Sequence, residues 1–414
     1  MSHVHAFLTS IVILLVVALF VRLVVTGHRR LSYASLLILV GLASSLAGVT
    51  FDIELSSELI LTGFLPTILF EGTLGIRLQD LTENIVPVLL LTIVGLPIAV
   101  SLLAGIGTLV TAVSPVIVLI FAAIVLPTDP AAVLSLFDEF DISEDLATMV
   151  EGESLLNDGV AIAIFSTILS MVREFPTLEL AFDSLVTVSG FSQLVQEVVF
   201  IGGAGLLFGG LVGRVGHEAA TRVHDQMSVV LLSAIVAYGS FLLAERVLSI
   251  SGVLAVVGAG LMMGAHERMH GEMSQRESFV KDSWETAAFL ASTLLYLLIG
   301  ARVDPGQFVQ HGHLIIGAAL LVIIVRGLAI YPLMAIANWT STEPVTLSCQ
   351  HLMVWGGLHT VVPVALALSL PEMLPFRAEM QTAVFGVAIF GTVGQSILIP
   401  PLLRLTDGTS HISP

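Results

Sequence analysis

Cysteine, lysine and charge of any kind are scarce in this 414-residue chain. The one cysteine, Cys349, rules out an intramolecular disulfide and any cysteine-based metal cluster, so thiol chemistry is not the function. The one lysine is Lys281, and 15 basic side chains stand against 32 acidic ones; a net charge of −17 argues against a nucleic-acid partner. Charged residues make up only 11% of the whole. Met1 to Ser10 holds no Lys or Arg, while Arg29 and Arg30 follow the first apolar run, the reverse of a secretory signal peptide. That run is expected to be retained as a first span with its N-terminus outside.

What the chain does have is apolar length. It is 56% hydrophobic with a mean hydropathy of +1.00, far outside the soluble range, and reads as an all-α polytopic membrane protein. Apolar windows of about 20 residues, the length that crosses a bilayer, recur thirteen times. They run from Ala6 to Thr26, Ser32 to Val49, Leu55 to Glu71, Ile85 to Ala112, Val116 to Phe137 and Leu146 to Val172. Beyond these come Gln193 to Gly216, Gln226 to Val247, Ser251 to Ala265, Ser283 to Ala301, His313 to Ala337, Val345 to Ser369 and Gln381 to Leu405. The fourth window is overlong and the ninth short, which leaves a count of twelve open. With thirteen spans, the connections on one side hold Arg29, Arg30, Arg77, Arg214, Arg222, Arg268, Arg276, Lys281 and Arg404, and those on the other hold Arg173, Arg246, Arg302 and Arg377. The richer side is expected in the cytoplasm, giving an outer N-terminus and an inner C-terminus. Of the basic residues only Arg22 and Arg326 remain unassigned to a connection, and both lie within spans.

One stretch breaks the apolar monotony: Glu151-Gly152-Glu153-Ser154-Leu155-Leu156-Asn157-Asp158, at the start of the sixth window. Ionisable groups inside a span are costly and usually mark an ion or proton path. On a helix Ser154 and Asp158 fall on one stripe with Glu151 nearby, and Glu153 with Asn157 form a second stripe about 100° away. A hydroxyl beside a carboxylate suits a small hard cation; a Glu beside an Asn suits a partner helix carrying an Arg. In the fifth window Pro127-Thr128-Asp129-Pro130 sets an Asp between two prolines, which remove backbone donors and predict an unwound segment. Irregular backbone at that depth survives only beside a cavity. Counted from opposite surfaces at 1.5 Å per residue, Asp129 and Asp158 both lie about 18 to 21 Å deep, near the midplane. The twelfth window carries a related interruption, Trp355-Gly356-Gly357-Leu358-His359-Thr360 followed by Pro363. Two interrupted spans in corresponding halves point to an inverted-repeat transporter with unwound crossing helices at spans five and twelve; two unrelated proline kinks would leave the same signal. The acidic connection Asp138 to Asp145 is either a cation-concentrating funnel or an ordinary solvated loop.

These residues resemble the NhaP-type sodium/proton antiporters of the cation/proton antiporter superfamily, in its electroneutral branch. The likeness is carried by Thr128-Asp129-Pro130, Glu153-Ser154 with Asn157-Asp158, Arg326 in span eleven, and Trp355-Gly356-Gly357-Leu358 followed by Ala365-Leu366-Ala367-Leu368-Ser369-Leu370-Pro371. It implies thirteen helices arranged as a dimerisation domain (residues 1–84 and 193–312), a core transport domain (85–192 and 313–405) and a short cytoplasmic tail (406–414). It implies secondary active sodium/proton exchange with no cofactor, in a homodimer in the cell membrane that serves pH homeostasis. Asp158 would then carry sodium (or lithium) and the proton in turn, with Asp129, the Thr128 backbone oxygen and Ser154 completing the sodium shell. Glu71, in Leu69-Phe70-Glu71-Gly72, would reach the ion through water. Glu153 would pair with Arg326, a contact read as structural, and Asn157 would fix the neighbourhood; Asn rather than Asp at 157 implies one-for-one exchange. One departure stands out: family members commonly read Gly-Leu-Arg-Gly where this chain reads Gly357-Leu358-His359-Thr360. His359 is thus either a pH-sensitive element or a neutral, hydrogen-bonded histidine.

Other readings use the same residues. A potassium/proton exchanger or a cation channel of the same fold needs the same carboxylates. An intramembrane aspartyl protease would pair Asp129 with Asp158. His266-Glu267-Arg268-Met269-His270 matches the H-E-x-x-H zinc-protease pattern, although it lies in a polar connection with no third ligand evident.

Overall fold

In lipid a chain must satisfy its own backbone, and this one does so with helices: a computed structural model shows no strand among the described residues. Those residues are 2–27, 32–49, 51–111, 113–128, 144–223, 225–264, 275–340, 345–357, 359–395 and 397–398. The principal helices are α1 (Ser2–Gly27), α2 (Tyr33–Leu46), α3 (Leu65–Gly75), α4 (Leu96–Thr111), α5 (Pro115–Val125), α6 (Glu144–Glu174), α7 (Leu178–Val186) and α8 (Val188–Thr221). They continue as α9 (Gln226–Leu243), α10 (Gly252–Gly264), α11 (Gln275–Arg302), α12 (Gly312–Thr340), α13 (Leu347–Trp355), α14 (Val361–Leu368) and α15 (Arg377–Ile389). Seven helical stretches among the described residues are long and apolar enough to cross a membrane, and four shorter ones are as apolar. Helix α7 was not foreseen; it is a nine-residue amphipathic piece that buries Ala181 and Leu185 and is capped by Thr177.

The chain divides into two units, one made of Met1–Ile60, Ile124–Ala147 and Ser292–Pro414, the other of Leu61–Ala123 and Thr148–Ala291. In the second unit small residues decide the packing. Gly205, Gly209 and Gly213 recur every fourth residue on α8, and a Cβ at each would strike the carbonyl oxygens of Ser251, Ala255 and Ala259. From the other side Gly258 lies against Leu206 and Gly210, so the two backbones touch directly, as small-residue repeats permit in membranes. Helix α10 meets α3 as closely, through Gly260 against Thr73 and Gly264 against the Leu74 oxygen. Nearly every residue of α10 is buried, which accounts for a helix without a polar face.

The same device joins α2 to the end of α11 in the first unit, where Gly41 and Gly300 each admit the other helix's backbone. Ser35 Oγ donates to the Thr392 oxygen at 2.7 Å and Ser45 Oγ to the Val303 oxygen at 2.6 Å, fixing both ends of α2. Four segments, Leu59–Phe64, Leu90–Gly95, Ala244–Leu248 and Phe390–Gln395, are π-helical. In the first of these the Gly63 carbonyl accepts from Tyr238 Oη at 2.8 Å, and Thr67 Oγ1 lies 2.6 Å from the same phenol. Because the phenol proton goes to Gly63, Thr67 is the donor of the second bond.

Candidate functional site

The polar face of α6 is placed by its glycines. At about 100° per residue Gly152 and Gly159 share one line of the helix, and positions 153, 154, 157 and 158 lie roughly 100° to 240° round from it. The glycine line is packed tightly: a Cβ at Gly152 would come within 2.8 Å of Leu81, and one at Gly159 would strike Leu254. Glu153, Ser154 and Asn157 are nonetheless buried, and Asp158 and Glu151 are half-buried. Asn157 Nδ2 donates to Glu153 Oε1 at 3.1 Å, an i, i+4 contact along one stripe. Ser154 and Asp158 occupy the neighbouring stripe. In the same unit Glu71 sits half-buried on α3, next to Gly72, which faces Leu155 of α6. The charged groups acting on Glu71 are Glu285 and Lys281 of α11, themselves paired at 3.4 Å.

The other unit holds the helix breaks. Helix α5 stops at Val125, and Leu126, Pro127 and Thr128 run on without helical form, all buried. Asp129, Pro130 and the acidic connection as far as residue 143 lie outside the described residues, as does the His266 to His270 pattern. In span twelve α13 ends at Trp355 and α14 begins at Val361. The breaks touch: His359 Nδ1 lies 2.8 Å from the Pro127 carbonyl oxygen, across 232 residues of sequence. A carbonyl only accepts, so Nδ1 carries the hydrogen and donates.

The electrostatics of the two broken ends differ. A helix C-terminus presents unsatisfied carbonyls and partial negative charge. At the end of α13 that charge is met by Arg326 of α12, whose Nη2 donates to the Met353 oxygen at 2.9 Å. Gly357 makes room for it, since a Cβ there would fall on the guanidinium. Helix α5 has no basic residue in its own last turn. The first unit also holds a cavity of about 410 Å³ with Arg302 and Arg377 against Glu54 and Asp304. Its balanced charge gives it no preference for cations.

Of the residues singled out in the sequence, Thr128, Arg326 and His359 belong to the unit with the breaks, and Glu71, Glu153, Ser154, Asn157 and Asp158 to the other. Sequence reasoning missed the Tyr238 and Thr67 pair beside the π-turn and Trp284, whose ring lies tilted against Phe70 with centroids 4.7 Å apart and whose Nε1 donates to Ser233 Oγ at 2.8 Å. The signal available was a Tyr and a Trp with polar tips placed within apolar spans.

Carboxylates buried and half-buried on a helix long and apolar enough to cross a membrane mark an ion transporter. The family model for the transmembrane sodium/hydrogen exchanger matches residues 13–405, and the chain belongs to that family. It is 34% identical over 386 residues to the Na(+)/H(+) antiporter ApNhaP of Aphanothece halophytica, covering 91% of this chain and 70% of that one. To the Na(+)/H(+) antiporter NhaP of Pseudomonas aeruginosa it is 32% identical, over 84% of this chain and 81% of that one. Its fold is that of the solved sodium proton antiporter MjNhaP1 from Methanocaldococcus jannaschii at pH 8, with a TM-score of 0.74, 20% identity, and coverage of 97% of this chain and 99% of that one.

Proposed function

We infer that this protein exchanges sodium for protons one for one, with both ions competing for Asp158. The observation that supports this most directly is the polar face of α6: a carboxylate and a hydroxyl one turn apart, half-buried and buried, in a helix otherwise suited to lipid. A protonated carboxyl no longer attracts sodium and a sodium-bound one does not take up the proton, so competition alone yields exchange. The bare anion is kept from crossing, because a lone Asp at the centre of a membrane helix costs about 3 kcal/mol on insertion scales. Asp129, the Thr128 carbonyl and Ser154 complete the sodium shell with Asp158, and Glu71 reaches the ion through water. Glu153 pairs with Arg326, with Asn157 bonded to Glu153. The chain needs no cofactor, since sodium, lithium and protons are its cargo.

The transport core comprises residues 85–192 and 313–405 and moves against a dimerisation domain of 1–84 and 193–312. The N-terminus lies outside and the C-terminus, with residues 406–414, inside the cell membrane. A homodimer is the assembled form.

Purified protein in liposomes with an imposed pH gradient tests the reading, on addition of sodium, lithium or potassium, with and without a voltage. Sodium should collapse the gradient at a rate indifferent to voltage, and the apparent affinity for sodium should weaken as pH falls while the maximal rate holds. Asp158→Asn should elute and melt like the native protein and show no exchange. Ordinary exchange by that variant would remove Asp158 from its role, and a response to potassium alone would make the protein a potassium/proton exchanger.

A further inference from the structure

His359 is 2% exposed, and its two ring nitrogens stand in different situations. Nδ1 donates to the Pro127 carbonyl, and Nε2 has no hydrogen-bond partner among the described residues. The Pro127 carbonyl is released from helical bonding because α5 has ended two residues earlier, at Val125. A main-chain oxygen buried at that depth requires a donor, and a side chain 232 residues away supplies it. The peptide unit is planar, so fixing the Pro127 oxygen also fixes the Thr128 nitrogen and Cα. Only the two torsions of Thr128 then remain to aim the next carbonyl. Thr128 is 3% exposed, which restricts those as well.

We propose that His359 is a positioning residue for the transported cation: its Nδ1–H anchors the Pro127 carbonyl and thereby aims the Thr128 carbonyl, which is the oxygen that ligates sodium. The proposal rests on the assignment of that oxygen to the sodium shell. It gives the histidine a role in affinity that depends on where its hydrogen-bond donor stands rather than on its charge. It also makes one break the reference against which the other is set, so the cation shell is completed only when spans five and twelve are joined.

Two amide substitutions separate donor position from bulk. Asn carries its NH₂ the same number of bonds from Cβ as Nδ1, and Gln carries its NH₂ one bond further, in the place of Nε2. In liposomes, His359→Asn should hold the apparent KM for sodium within about twofold of the native protein. His359→Gln and His359→Ala should raise it about three- to tenfold, the range that goes with losing one neutral hydrogen bond. The maximal rate should change little in all three. Should His359→Ala fail to fold, the Asn and Gln pair decides alone. A native KM in His359→Gln, or an equal rise in the Asn and Gln variants, overturns the proposal. So does a fall in maximal rate at unchanged KM. A native protein without sodium-driven proton flux refutes the exchange reading and this proposal together, whereas an active native protein with any of those outcomes refutes this proposal alone.

Discussion

Replacing Gly357 by Ala puts one methyl group where the Arg326 guanidinium now lies. The added Cβ would overlap Nε, lie 2.6 Å from Cζ and 2.9 Å from Nη2. Carbon contacts settle at about 3.5 to 4.0 Å, so the guanidinium must withdraw by about 1 Å. An exposed arginine would swing aside freely, but this one is 6% exposed and bound to the Met353 oxygen at 2.9 Å. A retreat of that size takes the bond beyond hydrogen-bonding range. It also removes the positive charge from the carbonyl end of α13. Loss of a buried bond from a charged donor costs about 1.5 to 3 kcal/mol. Replacing Gly by Ala returns about 0.4 to 1 kcal/mol by restricting the unfolded chain. The net expectation is a destabilisation of roughly 0.5 to 2.5 kcal/mol. Thermal unfolding in detergent should show it against Gly317→Ala, a control on α12 where nothing stands within 4 Å of the new Cβ. Exchange in liposomes should fall with it, since span twelve loses the group that holds its break. A Gly357→Ala protein that melts with or above the control would refute the account of Arg326.

Two further outcomes follow from other parts of the fold. Gly209→Ala on α8 drives a Cβ into the Ala255 carbonyl, which is backbone and has nowhere to swing. Its melting temperature should fall by the equivalent of about 1 to 3 kcal/mol, the usual cost of overpacking, while Gly203→Ala on the same helix, with open space around it, should not fall. Asp225 caps α9 from outside the membrane-spanning stretch, and hydrogen bonds from the Ser228 hydroxyl and amide hold its carboxyl below the ordinary carboxylate range. A lowered carboxyl stabilises the fold above its unfolded pKa, and that stabilisation is lost as pH falls through the folded value. The melting difference between the native protein and Asp225→Ala should therefore be present at neutrality and shrink once the medium is more acidic than the carboxylate range; a constant difference would contradict the cap.

The membrane class was legible, and so were the helix ends before Pro127 and at Gly356, because each has a local cause. Apolar runs of bilayer length leave no soluble alternative, and α5 stops short of Pro127 as α13 does at the Gly356-Gly357 pair, although Pro332 and the Gly202-Gly203 and Gly209-Gly210 pairs sit inside unbroken helices. The stripes of α6 were legible for the same reason, since an i, i+4 spacing needs only a helix to become a contact, as it does for Asn157 and Glu153. The bond from His359 to Pro127 was not legible, because it joins two segments that only the tertiary fold brings together. Nor were the π-turns, whose extra residue per turn leaves no mark in composition. The ninth window looked too short to span, and α10 explains why a short apolar run occurs there: it is enclosed by α8 and α3, so its length is set by its neighbours as much as by lipid.

Helices usually slide on a film of side chains that trade rotamers as they pass. Between α8 and α10 there is no such film, because carbonyl oxygens meet bare α-carbons, and between α10 and α3 only the short Thr73 side chain intervenes. To shear along either seam the helices must first part, giving up their close contacts before any new ones form. The three will keep their register through a transport cycle, and the motion that carries an ion must be sought at seams lined with larger side chains.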